Sequence, residues 1–324
     1  MSRTLLDVQD LVVEFPLEGE RVVHAVSGVS FRIHEGETLG LVGESGCGKS
    51  TTARAIMQLP RPTDGQVVLN GTDLTTLHGE RLRQARREFQ MIFQDPISSL
   101  NPRRRVGDIV SMPLVVMGEG NSQSRRDRAK AMLESVGLEA EAAMDRRPFQ
   151  FSGGQCQRIS IARALIVEPR MLICDEPVSA LDVSIQAQII NLLEDMKSRY
   201  NLTMLFISHD LAVVKNVCDR VAVMYLGRIC EMADAESLYR EPAHPYTAAL
   251  LSAIPEADPE RRPRPLAMKD GELPSPTNPP SGCRFRTRCP RAETMCEHEV
   301  PPLAEVSPGH NVSCHFPLWS ESPA

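Results

Sequence analysis

Up to about residue 235, short apolar runs that end on glycine or on polar residues alternate with amphipathic stretches. "ETLGLVG" (37–43), "MLICDEP" (171–177) and "TMLFISHD" (203–210) are short and almost uniformly apolar, which predicts strands buried on both faces of a mostly parallel sheet. Helical periodicity follows at 49–58, 153–167, 184–199 and 210–218, and "VAVMYLGRICEM" (221–232), broken at Gly227, predicts a hairpin. The alternation is that of an α/β protein, whose sites lie beyond the carboxyl ends of its strands. Residues 95–150, rich in Arg, Gln and Met, break the rhythm and predict a mainly helical insertion, which the next helix extends to a subdomain of about 95–165. Beyond 235 the texture changes again. Residues 255–324 hold 14 of the 25 prolines, too many for long helices or central strands, and four of the nine cysteines lie between 283 and 314. The expected division is 1–235 and 236–324.

Composition adds limits. The 324 residues are 42% hydrophobic and 24% charged with a net charge of -6, so no chain-wide positive field points to nucleic acid. The basic runs at 81–89, 103–105 and 125–130 read first as solvated faces. No stretch approaches 18 apolar residues, and "MSRTLLDVQDLVVEF" resembles no signal peptide, so the chain is expected in the cytoplasm with reduced thiols.

"GESGCGKS" (43–50) fits G-x-x-x-x-G-K-[ST] between a predicted strand and a predicted helix. Gly43, Ser45, Gly46, Cys47 and Gly48 would wrap backbone N–H groups around phosphate oxygens at a helix N-terminus. Lys49 reaches the β- and γ-phosphates, Ser50 ligates Mg²⁺ and Thr51 adds an α-phosphate contact. Cys47, beside Lys49 and a helix start, is either a thiol of lowered pKa or a small residue filling a tight loop. Asp175 and Glu176 arrive together at a strand tip, where one carboxylate can hold Mg²⁺ and the next can deprotonate a water. Gln94 in "MIFQDP" and His209 in "FISHD" also end apolar runs, and their placement makes them catalytic candidates beside Glu176.

"FSGGQ" (151–155) opens a helix with two glycines, each costing roughly 1 kcal/mol against alanine, although Ser152 and Gln155 have capping-box spacing. With Phe15, the phosphate loop, Gln94, "CDEP", "SALD" (179–182) and His209, in that order over about 15–235, the chain resembles the ATP-binding subunits of ABC transporters. The resemblance implies a P-loop NTPase fold: a RecA-like core, an antiparallel β subdomain and a helical signature subdomain. It also implies that Ser152, Gly153, Gly154 and Gln155 contact ATP held by an opposite subunit, the glycines letting a helix N-terminus press on a γ-phosphate. Phe15 would stack on adenine, unless it is a core strand residue. Asp182 would couple the two sites, and Mg²⁺ would be held through Ser50, Gln94 and Asp175. Glu176 and His209 are both present, which implies turnover.

"MIFQDPISSLNPRRRVGDIV", "EPAHPYTAALLSAIP" (241–255) and "DGELPSPTNPPSGCRFRTRCP" (270–290) resemble the oligopeptide/dipeptide branch of ABC importers. That branch implies a paralogous ATPase subunit paired with this F-type member, two permeases and an extracytoplasmic substrate-binding protein. The chain would sit peripherally on the cytoplasmic face of the cell inner membrane, away from nucleic acid. Nickel, glutathione and opine importers share these motifs, and non-transport ABC ATPases form a further alternative. Cys283, Cys289, Cys296 and Cys314 have the spacing C-x5-C-x6-C-x17-C, without the C-x2-C pairs usual for zinc. Resemblance favours a [4Fe–4S] cluster on these four, with zinc, or free thiols and disulfides, as the alternatives. His298, His310 and His315 are possible substitutes, each expected to face solvent.

Overall fold

The computed structural model describes residues 3–19, 21–254, 268–269 and 272–319. Part of the proline-rich tail (255–267, 320–324), the last residue of the 241–255 motif and the first two of the 270–290 motif lie outside the described residues.

The chain opens with a hairpin of β1 (Thr4–Pro16) and β2 (Val22–His34), then β3 (Thr38–Val42) and α1 (Lys49–Ile56). β4 (Asp64–Leu69) and β5 (Thr72–Asp73) return to the hairpin and complete an antiparallel sheet ordered β2-β1-β4-β5. α2 (Gly79–Ala85) and β6 (Phe89–Ile92) lead to α3 (Val106–Met117), α4 (Ser122–Ser135), α5 (Ala140–Ala143) and α6 (Gly153–Leu165). β7 (Met171–Asp175), α7 (Val183–Tyr200), β8 (Thr203–Ser208), α8 (Leu211–Val217) and β9 (Arg220–Tyr225) then alternate. After β10 (Arg228–Asp234) come α9 (Ala235–Arg240), α10 (Pro245–Ser252), α11 (Met295–His298), β11 (Ala304–Ser307) and β12 (His310–Val312).

The larger sheet is ordered β11-β12-β10-β9-β3-β8-β7-β6, with β9, β3, β8, β7 and β6 parallel and the remaining strands joined antiparallel. Every residue of β3, β7 and β8 is buried, as their apolar runs require. Side chains alternate along them between two cores. Met171 and Ile173 face the antiparallel sheet and α1, whereas Leu172 and Cys174 join the core shared with the helices of the insertion and α6. A helix between two sheets is thus buried on several sides, and α1 carries the small residues Ala53 and Ala55 there.

The insertion is helical, and part of its basic runs is paired within the chain. Arg105 and Arg126 meet Asp145, Arg128 meets Glu119, and Lys130 meets Glu141. At the far edge, Glu231 and Met232 of β10 pair with Val312 and Asn311 of β12, so the tail hairpin extends the main sheet across the 235/236 division. The tail also shares the main core: Tyr225 packs against Tyr246 and Phe285, with ring centroids 4.8 Å and 5.2 Å away.

Candidate nucleotide site

At the carboxyl ends of β3 and β7 lies a cleft of about 300 Å³. Its lining includes Phe15, Ser45, Gly46, Gly48, Lys49, Ser50, Thr51, Gln94 and Glu176, drawn from four separate stretches of sequence. The loop between β3 and α1 holds its shape through its glycines. A Cβ on Gly43 (φ 149°) would stand 2.1 Å from the Met224 carbonyl oxygen, and one on Gly48 (φ 107°) 2.3 Å from that of Ala25. Only glycine fits that crowding. Lys49 Nζ donates to the carbonyl oxygens of Gly43 (2.8 Å) and Glu44 (3.0 Å), which holds its ammonium inside the loop.

Behind Ser50 the Asp175 carboxylate is fully buried. Its Oδ1 accepts from Ser50 Oγ at 2.7 Å, and its Oδ2 has no partner among the described residues. Burial pushes the carboxyl pKa up, opposed by the Ser50 hydrogen bond and by Arg54. An orphaned, desolvated carboxylate oxygen beside a hydroxyl is a donor set that suits a hard divalent cation. Glu176 follows with φ 46°, a left-handed backbone costing roughly 1–2 kcal/mol for a residue with a Cβ. Its N–H donates to the Ile207 carbonyl (3.0 Å), and this turn swings the side chain out of the strand. Glu176 Oε2 accepts from Gln94 Nε2 at 2.8 Å, and His209 Nδ1 lies 3.4 Å away. Gln94, Glu176 and His209 therefore converge, as anticipated. Phe15 sits in β1 opposite Val23 but is exposed at the cleft mouth, so the core alternative does not hold.

Cys47 follows the second of its two readings. Its side chain is buried beneath the loop, absent from the cleft lining, and desolvation pushes the thiol pKa up despite Lys49. Burial outweighs the helix start here, so the small-residue reading stands and the activated-thiol reading falls.

Ser152 caps α6: its Oγ accepts from Gln155 N–H (3.4 Å) while Gln155 Oε1 accepts from Ser152 N–H (3.0 Å). None of Ser152–Gln155 lines the cleft. One glycine of the pair, Gly154, has an internal reason that sequence reading missed. A Cβ on Gly154 would stand 2.6 Å from Ile185 Cγ2 in the first turn of α7, whereas one on Gly153 would meet only Leu181 Cδ2 at 3.3 Å. Asp182, exposed, precedes α7 and accepts backbone N–H groups from Ile185 and Gln186 through its carbonyl.

Cys283, Cys289, Cys296 and Cys314, all unpaired thiols, line one cavity together with His244 and His315. Its free space is about 10 Å³, and among the described residues no three His, Cys, Asp or Glu side chains stand as a metal-holding group. The donor type suits a thiolate-bound centre, but the spacing in this structure is closed to roughly the room of one water. His310 is buried rather than solvent-facing: its Nε2 lies 2.6 Å from Glu231, which also accepts the N–H groups of Ala243 and His244. No described helix is long and apolar enough to cross a membrane.

A phosphate loop feeding a helix at the centre of a parallel sheet, with paired carboxylates at the end of the second strand along, defines a P-loop nucleotide-binding protein. Residues 26–179 match the family model described as ABC transporter, and residues 230–296 that of the oligopeptide/dipeptide transporter C-terminal region. The chain is 52% identical to the oligopeptide transport ATP-binding protein OppF of Salmonella typhimurium over 96% of each chain. It is 48% identical to the oligopeptide transport ATP-binding protein AppF of Bacillus subtilis, over 97% of this chain and 98% of that one. Among solved structures it is similar to the dimeric ATP-binding cassette MJ0796 in a post-hydrolysis state bound to ADP and Pi. That match has a TM-score of 0.65 and 29% identity, covering 71% of this chain and 99% of the other. The chain belongs to the ABC transporter family, in its oligopeptide/dipeptide branch, and is an ABC-type ATPase. Membership implies ATP and Mg²⁺ as cofactors, dimerisation and permease partners.

Proposed function

We propose that this chain energises the import of di- and oligopeptides by hydrolysing ATP within a dimer of cassettes. One observation carries the reading: Lys49, Ser50, Gln94 and Glu176 share one cleft, whereas the capped glycine start of α6 stands outside it. A site built in this way is completed by a second subunit. Lys49 exchanges its loop carbonyls for phosphate oxygens, Thr51 takes an α-phosphate oxygen and Phe15 stacks on the base. Ser50, Gln94 and Asp175 would hold Mg²⁺, which would offset charge on the phosphates. Glu176, fixed by Gln94, takes a proton from the attacking water, and His209 orients the same carboxylate and the γ-phosphate. Ser152, Gly153, Gly154 and Gln155 of the opposite subunit grip that phosphate, and Asp182 links the two sites. The test is specific ATPase activity against protein concentration: it falls on dilution below the dimer dissociation constant. A rate per chain that stays constant through that range overturns the shared site.

In the same reading the partner is a paralogous ATPase subunit, and the pair docks on two permeases served by an extracytoplasmic substrate-binding protein. This places the chain peripherally at the cytoplasmic face of the inner membrane. Likeness to OppF over nearly the whole chain supports the assignment. Isolation of the native complex, followed by uptake of labelled dipeptide against nickel and glutathione, separates peptide from the other cargoes. We further propose that Cys283, Cys289, Cys296 and Cys314 bind a structural [4Fe–4S] cluster. Four reduced thiols round one cavity support this, with local opening of the cavity required on loading. Anaerobic purification then yields iron and sulfide with a broad brown absorption; zinc in place of iron, or no metal, refutes it.

A further inference from the structure

The phosphate loop carries a carboxylate that its own motif does not use. Glu44 follows Gly43 directly, and its carbonyl accepts from both Lys49 Nζ (3.0 Å) and Cys47 N–H (3.2 Å). Every other anchor of Glu44 comes from the tail, some two hundred residues away. Arg288 donates Nη1 to Oε2 at 2.7 Å and Nη2 to Oε1 at 3.0 Å, a two-pronged pair with the Arg288 side chain 11% exposed. The Glu44 N–H donates to the hydroxyl of the buried Tyr246 at 3.0 Å. Arg288 also lies over the Tyr225 ring, 5.9 Å from its centroid, in the aromatic cluster of Tyr225, Tyr246 and Phe285. A third tail residue, Pro276, lines the nucleotide cleft itself, and its carbonyl accepts from His24 N–H at 2.9 Å.

We propose that Arg288, lying over the Tyr225 ring, is a positioning residue for nucleotide binding: it neutralises Glu44, whose N–H is held by Tyr246, so that the loop accepts phosphate. The proposal rests on reading the cleft as the ATP site. An unpaired carboxylate on that loop repels the triphosphate and competes for the Lys49 ammonium, whose Nζ already lies against the Glu44 backbone. The bidentate pair removes both effects. The tail thereby becomes part of the nucleotide site, although no tail residue belongs to the phosphate-binding motif.

The experiment measures binding of a fluorescent ATP analogue with Mg²⁺ to the full chain and to Arg288→Met, Glu44→Gln and the double variant, alongside ATPase KM and kcat. At a surface-like dielectric, one uncompensated carboxylate near the phosphates raises the dissociation constant about tenfold. Arg288→Met therefore binds about tenfold more weakly with kcat at saturation little changed, while Glu44→Gln serves as the reference in which no charge is left for Arg288 to neutralise. The double variant returns to within about twofold of wild type, because the offending charge is gone. A purely structural role for Arg288 predicts no such rescue, so a double variant as weak as Arg288→Met overturns the proposal. Arg288→Met binding as tightly as wild type does so too. If Arg288→Met does not fold, Arg288→Gln replaces it with the same expectations. Failure of the wild type itself to bind the analogue would instead remove the ATP-site reading.

Discussion

The two signature glycines separate an internal packing role from a role at a second subunit. Alanine at 153 adds a Cβ 3.3 Å from the flexible end of Leu181, and alanine at 154 adds one 2.6 Å from Cγ2 of Ile185. Alanine gains roughly 0.4–1 kcal/mol over glycine in a compatible helix position. At 153 a small adjustment of Leu181 leaves stability within about 1 kcal/mol of wild type, a few degrees at most in melting temperature. At 154 the neighbour is β-branched and cannot rotate away, so overpacking costs roughly 1–3 kcal/mol, offset in part by the helix gain. The Gly154→Ala variant is thus destabilised by up to about 2 kcal/mol, and adding Ile185→Ala, which deletes Cγ2, reverses the steric part. Activity follows a different pattern. Lost close approach to phosphate forfeits hydrogen bonds to a charged group worth about 1.5–3 kcal/mol each, or about 10- to 150-fold in rate per bond. Gly153→Ala therefore melts as wild type yet hydrolyses ATP at least about tenfold more slowly under dimerising conditions. The assays are thermal denaturation without nucleotide and phosphate release at high protein concentration. Wild-type turnover by folded Gly153→Ala refutes the trans contact; absence of coupling between Gly154→Ala and Ile185→Ala in a stability cycle refutes the Ile185 argument.

Glu176→Gln keeps the Gln94 contact geometry but removes the base. It retains ATP binding, loses about 10²–10⁴-fold in hydrolysis and runs as a nucleotide-trapped dimer in light scattering, whereas unchanged hydrolysis contradicts the assignment. Ser50→Ala strips Asp175 of its one hydrogen bond, so both buried oxygens lack partners; half-maximal Mg²⁺ for ATPase activity rises, and an unaltered Mg²⁺ titration argues against the cation site. The buried His244 accepts from Tyr246 N–H, and burial lowers its pKa to about 4 from the usual 6.5. Between those values the unfolded chain binds a proton that the folded chain refuses, so stability present above pH 6.5 is lost as pH falls towards 4, by about 3 kcal/mol. His244→Asn keeps an acceptor for Tyr246 N–H and flattens this part of the denaturation profile; an identical pH slope in wild type and variant refutes it.

How the parts of this protein became legible follows their range along the chain. The phosphate loop, the signature helix start and the fully apolar strands were readable because each is a contiguous stretch whose local chemistry dictates its form. Glycines at left-handed or crowded positions, a capping box within four residues and five-residue apolar runs need no distant partner to be recognised. The family resemblance then ordered them, and the convergence of Gln94, Glu176 and His209 followed from strand ends brought level by a parallel sheet. Nothing local indicated a role for the acid at 44, or which of many arginines pairs with it.

The residues decided only by tertiary structure are those whose meaning depends on what packs against them. Cys47 and His310 have unremarkable neighbours in sequence, yet both are buried, where desolvation pushes the Cys47 thiol pKa up and Glu231 shares the His310 hydrogen bond. Gly154 faces Ile185 because α6 and α7 pack together, and the tail hairpin joins the main sheet through pairing across some eighty residues. Arg288 meets Glu44 across 244 residues. Local pattern encodes dihedral preference and the side to be buried, which is enough for strands, caps and the phosphate loop. Which groups then share one low-dielectric space is set by packing of distant segments, and that packing exists only in the folded chain.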